Sequence, residues 1–138
     1  MEIYAACHGI IKKDGKILLG IRNKKISKHH GKYFSIGGTL ELMETLNECF
    51  VREVKEETNI TVKNIKFFKV YERIDVNKKE SPHILMFIYT AEYNSGELKG
   101  DDDCVDPEFF TIEEIKKLIK EDNLHPFTIE ILNDLSEI

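Results

Sequence analysis

Apolar residues are concentrated in short runs separated by turn residues, a pattern typical of β-strands. The first two runs, Ile3–Ile11 and Lys16–Arg22, flank Lys13-Asp14-Gly15. An Asp-Gly pair between two such runs predicts a β-hairpin. Three further segments have strand character: Tyr33–Ile36 as a short strand that ends at the Gly37-Gly38 pair, Thr61–Ile74 as one or two strands, and His83–Tyr93.

Three segments have helical character: Thr45–Thr58, Thr111–Glu121 and Pro126–Leu135. The first two begin with a threonine followed three residues later by a glutamate, which is the signature of a capping box. In the third, Pro126 is placed as a first-turn proline. Between these elements, we expect loops at Asn23–Lys32 and at the acidic segment Lys99–Pro107, and a turn at Asn94-Ser95-Gly96.

The run Ile84–Tyr89 is continuously apolar, which is typical of a central strand covered on both faces. Strands mixed with helices, and one strand buried on both sides, predict helices packed on both faces of a sheet. The fold class is therefore α/β. No repeat or linker interrupts the 138 residues, so we expect a single domain over residues 1–138.

The composition, 41% hydrophobic and 33% charged, is that of an ordinary soluble globular protein. No apolar run approaches the roughly 20 residues of a membrane helix, and the first residues do not resemble a signal peptide. The cysteines Cys7, Cys49 and Cys104 are widely spaced, so we expect reduced thiols in a cytoplasmic protein and no zinc site. The net charge of −5 gives no electrostatic case for nucleic-acid binding.

The helix at residues 45–58 carries an unusual concentration of negative charge. Glu53, Glu56 and Glu57 stand at i, i+3 and i+4, so they share one stripe of the helix. Like charges at this spacing destabilise a helix, and the helix dipole disfavours anions in its last turns. A solvated acidic face is one interpretation. The other is a site for a hard divalent cation such as Mg²⁺, which prefers clustered carboxylate oxygens.

The surrounding residues favour the second interpretation. The pattern G-x5-E-x7-R-E-U-x-E-E-x-G-U, in which U is apolar, resembles the signature of the Nudix hydrolases. Eight of its nine fixed positions match, and they are Gly38, Glu44, Arg52, Glu53, Val54, Glu56, Glu57 and Ile60. The exception is Asn59, where the family has glycine. Asparagine is the next most tolerant residue for the left-handed backbone expected after a helix end.

The resemblance implies an α/β/α sandwich around a mixed sheet and hydrolysis of a diphosphate bond with help from a divalent metal. Carried over by position, the metal ligands are Glu53, Glu56 and Glu57, with the backbone of Gly38 close to the metal. Mg²⁺ is the expected ion and Mn²⁺ a substitute. The backbone of Gly37 is expected at the substrate.

The family's pattern also implies roles for two neighbouring residues. Arg52 would orient the carboxylates by ion pairing. Glu44 would stabilise the junction of loop and helix or reach the metal through water. The general base is left open between a box glutamate, here Glu53, and a carboxylate of the later acidic loop: Asp101, Asp102 or Asp103.

Residues 15–40 contain no Asp or Glu, and the basic side chains in this stretch lead toward the glycine pair. They are Lys16, Arg22, Lys24, Lys25, Lys28, His29, His30 and Lys32. Such a segment can steer a polyphosphate, or it can be a solvated loop. Arg22, at a strand end, and Lys32 are the candidates for substrate binding, since Arg has a fixed fork that matches phosphate.

Two departures affect the loop before the helix: Ile36 replaces the family's usual proline before the two glycines, and Met43 the usual glycine before Glu44. The expected substrate is a small nucleotide, either a nucleoside diphosphate linked to X, of the ADP-ribose or nucleotide-sugar type, or a nucleoside triphosphate. The alternatives are a non-catalytic Nudix-fold module that senses a nucleotide and a structural domain with a solvated acidic face. Family members are often dimers, so a homodimer is compatible with the resemblance.

Overall fold

The computed structural model describes residues 2–23, 31–77 and 82–138. The fold is a mixed β-sheet with helices on both faces. The strands are β1 (Ile3–Lys13), β2 (Lys16–Arg22), β3 (Tyr33–Phe34), β4 (Ile36–Thr39), β5 (Thr61–Ile74), β6 (His83–Ser95) and β7 (Cys104–Phe110). The helices are α1 (Leu46–Thr58), α2 (Ile112–Lys120) and α3 (Pro126–Asp134). No described helix has the length and apolar character needed to span a membrane.

The sheet runs in the order β3-β2-β1-β6-β5, with β4 paired to β1 and β7 paired to β2. β1 and β6 are parallel, and the other pairs are antiparallel. β1 pairs with β2 only near their shared turn, where Asp14 and Gly15 both have positive φ. It then pairs with β4 over Ala6–Gly9. Because β1 changes neighbour in this way, β2 and β4 diverge and leave a cleft between them.

Alternating strand residues build two apolar layers, one on each face of the sheet. Cys7 and Ile11 of β1 pack with Phe50 and Val54 of α1, whereas Ala6 and Ile10 face the layer that α2 and α3 cover. The apolar run of β6 contributes to both layers. The prediction of a central strand buried on both faces is therefore confirmed, as is the α/β class.

The helix ends follow the predicted chemistry. Thr45 and Thr111 are the N-caps of α1 and α2, and each forms a complete capping box with the glutamate three residues later. Each N-cap of this kind stabilises a helix by about 1 kcal/mol. α1 ends at Asn59 in the left-handed conformation, with φ 64°. The left-handed assignment made from the sequence is confirmed.

Two predicted boundaries are wrong. The glycine pair does not end a strand, since Gly37 and Gly38 lie inside β4 and pair with β1. The segment Lys99–Pro107 is not a loop throughout, because β7 begins at Cys104 and pairs with β2. A register shift in this pair accommodates Asp106 at φ 46° beside Pro107, and these two residues hide the strand from sequence patterns.

Candidate active site

Arg52 of α1 is the centre of an ion-pair network with glutamates of α1 and of the loop before it. Its Nε and Nη2 atoms donate to the two carboxylate oxygens of Glu44, at 2.6 and 3.0 Å. Its Nη1 donates to Glu53 at 2.7 Å and to Glu56 at 3.1 Å, and Nη2 also donates to the carbonyl oxygen of Thr39 at 3.1 Å. One guanidinium thus joins the loop after β4 to two box glutamates of α1, a geometry that the arginine fork allows and lysine does not.

The electrostatic effect of this network is largest on Glu44. The hydrogen bonds from Arg52 lower the pKa of Glu44 to about 2. The same carboxylates raise the pKa of Arg52 above its ordinary value. Glu44 is therefore fixed as an anion. Its ion pair with Arg52 connects the loop before α1 to the helix, and the same arginine pairs with Glu53 and Glu56.

Glu57 lies at the other end of the glutamate stripe, outside the Arg52 network. The backbone N–H of Gly37 donates to its Oε1 atom at 3.2 Å. Burial and the neighbouring Glu53 carboxylate nevertheless raise the pKa of Glu57 to about 8. Burial also raises the pKa of Glu53. The helix thus holds two carboxyl groups whose negative charge is incompletely compensated.

The glycine pair brings the backbone of β4 against α1. A β-carbon built on Gly38 would lie 2.4 Å from Oε2 of Glu53, so only glycine lets this carboxylate reach the strand. A β-carbon on Gly37 would lie 2.1 Å from the carbonyl oxygen of Cys7. Glycine is therefore required at the two positions for different reasons: Gly38 makes room for the Glu53 carboxylate, and Gly37 makes room for the backbone of β1.

The donor set suits a divalent cation. Glu53, Glu56 and Glu57 supply carboxylate oxygens, which are hard donors. Gly38, whose carbonyl oxygen is a further candidate donor, lies close to Glu53. The raised pKa of Glu57 reflects its partial desolvation and the neighbouring Glu53 carboxylate, and a cation bound here would favour the ionised form of both groups. Within the described ranges, no group of three His, Cys, Asp or Glu side chains already forms a metal site, and Arg52 hydrogen-bonds one carboxylate oxygen of Glu53 and one of Glu56.

A narrow cavity of about 20 Å³ opens in the cleft between β2 and β4, and we call it the cleft cavity. Its walls are Gly20, Ile21, Arg22, Phe34, Ser35, Ile36, Glu57, Asp103 and Cys104. The guanidinium of Arg22 lies 4.6 Å from the centre of the Phe34 ring, and burial lowers the pKa of Arg22. Arg22 and Glu57 thus line the same cavity.

The later acidic loop has one member at this cavity. Asp101 uses its Oδ1 atom to accept from the backbone N–H groups of Asp103 and Cys104, which closes the turn into β7. The backbone carbonyl of Asp102 accepts from the side chain of Asn23. Only Asp103, among the three candidates, lines the cavity that contains Glu57.

The remaining basic candidates do not line the cleft cavity or lie outside the described residues. Lys32 forms an ion pair with Asp122 at 2.9 Å, outside the Arg52 network. Lys24, Lys25, Lys28, His29 and His30 lie outside the described residues. The sequence patterns missed Ser35 and Cys104 as cavity residues, because neither belongs to a motif. All three cysteines are buried free thiols, as expected.

Comparison with known proteins agrees with this geometry. The family model described as NUDIX domain matches residues 2–135. An ADP-ribose pyrophosphatase of Methanocaldococcus jannaschii is 36% identical over 113 residues, which are 82% of this chain and 64% of that protein. The NAD-capped RNA hydrolase NudC of Vibrio parahaemolyticus is 36% identical over 106 residues, 76% of this chain and 37% of that protein.

The chain therefore spans less than two thirds of the length of these relatives. A solved structure of a NUDIX hydrolase from Nitrosomonas europaea superposes with a TM-score of 0.82 at 22% identity, covering 99% of this chain and 90% of that one. This likeness shows that the two share a fold. With the family model matched along nearly the whole chain, and with the glutamates, arginine and glycine of its signature gathered at one helix, this protein belongs to the Nudix hydrolase family.

Proposed function

We propose that this protein is a divalent-metal-dependent pyrophosphohydrolase that cleaves the diphosphate bond of a nucleoside diphosphate linked to X, of the ADP-ribose or nucleotide-sugar type. The observation that carries the proposal is the arrangement of the α1 glutamates. Glu53 and Glu56 share Arg52, and Glu57 is half-buried beside them with a raised pKa. On a fully solvated acidic face, desolvation would not raise the pKa of a carboxyl group in this way.

Mg²⁺ is the proposed ion, with Mn²⁺ as a substitute, and Glu53, Glu56, Glu57 and the Gly38 backbone would hold it. Such an ion supplies charge neutralisation at the phosphate oxygens and lowers the pKa of water. The protein's own contribution is positioning: Arg52 and the Gly37 N–H fix the carboxylates before substrate arrives.

Two carboxylates are proposed for the general base. Glu53 is in the glutamate cluster, and burial raises its pKa, which makes it a stronger base than an ordinary glutamate. Asp103 lines the cleft cavity next to Glu57 and Arg22. The structure favours Asp103 over Asp101 as the base from the later loop, because Asp101 is used by the turn.

The relative from Methanocaldococcus jannaschii is named for ADP-ribose, which favours linked diphosphates over nucleoside triphosphates as the substrate class. The second candidate is a non-catalytic module that senses a nucleotide. The three glutamates near the end of α1 speak against this candidate, since a binding module does not need all of them where like charges and the helix dipole destabilise the helix.

The test is product analysis by chromatography after incubation with Mg²⁺. The panel contains ADP-ribose, nucleotide sugars, NADH, coenzyme A, dinucleoside polyphosphates and nucleoside triphosphates. We expect a mononucleotide and phosphorylated X from a linked diphosphate. Glu56→Gln should abolish this activity, whereas the matched control Glu48→Gln should keep it, because glutamine also serves in the capping box at that position. A folded, metal-binding protein that turns over nothing would support the sensor instead.

A further inference from the structure

Two of the three cysteines lie together in the core between β1 and α1. Cys7 and Cys49 are completely buried and belong to the same apolar layer. Their side chains hydrogen-bond to each other. Cys104 is also a free thiol, but it lines the cleft cavity instead. The fold therefore places two thiols side by side, one from a strand and one from a helix.

The backbone of β4 gives independent evidence that the two cysteines are close. Cys7 is paired with Gly38 in the β1–β4 ladder, and directly opposed residues of antiparallel strands lie about 5 Å apart at their Cα atoms. The thiol of Cys49 donates to the carbonyl oxygen of Gly38, with Sγ 3.7 Å from that oxygen. Both cysteines are therefore neighbours of the same residue of β4.

The thiol of Cys49 also adjoins the Arg52 network. Arg52 and Glu53 follow Cys49 by three and four residues, so the three side chains lie along one side of α1. Nη2 of Arg52 is 3.9 Å from Cys49 Sγ. The Arg52 side chain is 22% exposed, so the thiol lies directly beneath a group that reaches solvent.

We propose that Cys7 and Cys49 form a site of reversible oxidation, at which a peroxide converts the two thiols into a disulfide bond. In the first step the sulfur of Cys49 attacks hydrogen peroxide, the O–O bond breaks, and a sulfenic acid and one water form. The sulfur of Cys7 then displaces the hydroxyl group as a second water and forms the S–S bond. Each sulfur loses one electron, and the peroxide gains two. A dithiol reductant reverses the modification by thiol–disulfide exchange.

The disulfide should disturb the glutamate cluster. A sulfur in a disulfide has no S–H group, so Cys49 loses its hydrogen bond to Gly38, and the new bond draws α1 toward β1. Arg52 and Glu53 move with the helix, and a displacement of about 1 Å at reacting groups can cost 100-fold in rate. This effect on activity rests on the proposed function, whereas the oxidation itself does not.

The experiment treats the folded protein with hydrogen peroxide and then counts free thiols in denaturant. The reduced chain has three free cysteines. We expect one thiol to remain, a mass lower by two hydrogen atoms, and a proteolytic fragment in which Cys7 is joined to Cys49. The control Cys104→Ala should lose both of its thiols in the same way. Cys7→Ala should form no internal disulfide, and Cys49→Ala is the second variant if Cys7→Ala does not fold.

Activity is measured on the same samples. Oxidised wild type should hydrolyse ADP-ribose with a kcat/KM at least tenfold lower than reduced wild type, and dithiothreitol should restore it. Peroxide should not change the activity of Cys7→Ala relative to its own untreated sample. A wild type that keeps all three thiols, or that joins Cys104 to another cysteine, would overturn the proposal. If the Cys7–Cys49 disulfide forms in a protein that hydrolyses no substrate with Mg²⁺, the oxidation site stands and the proposed hydrolase is wrong.

Discussion

Gly38 and Glu53 are in such close contact that a β-carbon on Gly38 would lie 2.4 Å from Oε2 of the Glu53 carboxylate. The glycine belongs to β4 and the glutamate to α1, so this contact joins the two elements on which the proposed metal site is built. Glycine is required at position 38 because a side chain would take the space of the Glu53 carboxylate, and not because of the backbone conformation.

Gly38→Ala should lower kcat/KM at least tenfold and lower the melting temperature less than Gly37→Ala does. The added methyl group displaces the flexible end of the Glu53 side chain, at the cost of its hydrogen bond to Arg52. Gly37→Ala is the matched comparison: its methyl group would meet the backbone of β1, so it should lower the melting temperature clearly. Thermal unfolding and initial rates of both variants check this, and equal losses of stability would refute the distinction.

Arg52→Lys should lower the free energy of unfolding by about 1.5–3 kcal/mol, the range for hydrogen bonds that involve charged groups. Lysine keeps the charge but cannot donate to both oxygens of Glu44 and to Glu53 together. The control is Arg73→Lys, in an exposed pair with Glu130. Exposed pairs contribute at most about 1 kcal/mol. Urea unfolding measures both, and a loss no larger for Arg52 than for Arg73 would contradict the network's importance.

Glu57 should make the metal-free protein less stable as the pH rises from about 4.5 to about 8. Its pKa is about 8 in the fold, against an ordinary value of 4.5. In this window the unfolded chain has released a proton that the folded chain still holds, so the free energy of unfolding falls with increasing pH. Glu57→Gln should remove this decrease and raise the melting temperature at pH 8, while Glu97→Gln, in an exposed loop, should not. Identical pH profiles for wild type and Glu57→Gln would contradict the pKa shift.

Asn59→Gly should be close to neutral for stability. Glycine relieves the left-handed conformation at φ 64°, but it also removes the hydrogen bond from Asn59 Nδ2 to the carbonyl oxygen of Glu97, at 3.0 Å. Asn59→Ala loses the same bond and keeps the strain, so it should cost about 1–2 kcal/mol. Chemical unfolding of the two variants separates the effect of the lost hydrogen bond from the effect of the backbone strain. Equal stability of the glycine and alanine variants would show that backbone strain is not a factor here.

Local chemistry explains which parts of this fold could be predicted from the sequence. The capping boxes at Thr45 and Thr111 and the Asp14-Gly15 turn are decided by neighbouring residues, and each is where the sequence places it. The glutamate stripe was likewise predictable, because helical spacing alone aligns Glu53, Glu56 and Glu57.

The rest depends on tertiary contacts that no local pattern contains. β7 carries Asp106 and Pro107, which disfavour a strand, and it forms because β2 offers a free edge. Ser35 lines the cleft cavity because β1 changes its neighbour from β2 to β4. The choice of Asp103 over Asp101 likewise depends on which side chain closes the turn.

The most direct test of the proposed metal site is a Mn²⁺ titration followed by electron paramagnetic resonance, on wild type, Glu56→Gln, Glu57→Gln and Glu48→Gln. If the α1 glutamates bind the ion, the wild type and Glu48→Gln should bind Mn²⁺ at millimolar concentration or below, and binding should weaken at least tenfold in the other two variants. Mg²⁺ should displace the Mn²⁺. Absence of binding by the folded wild type, or undiminished binding by both Glu56→Gln and Glu57→Gln, would contradict the metal site.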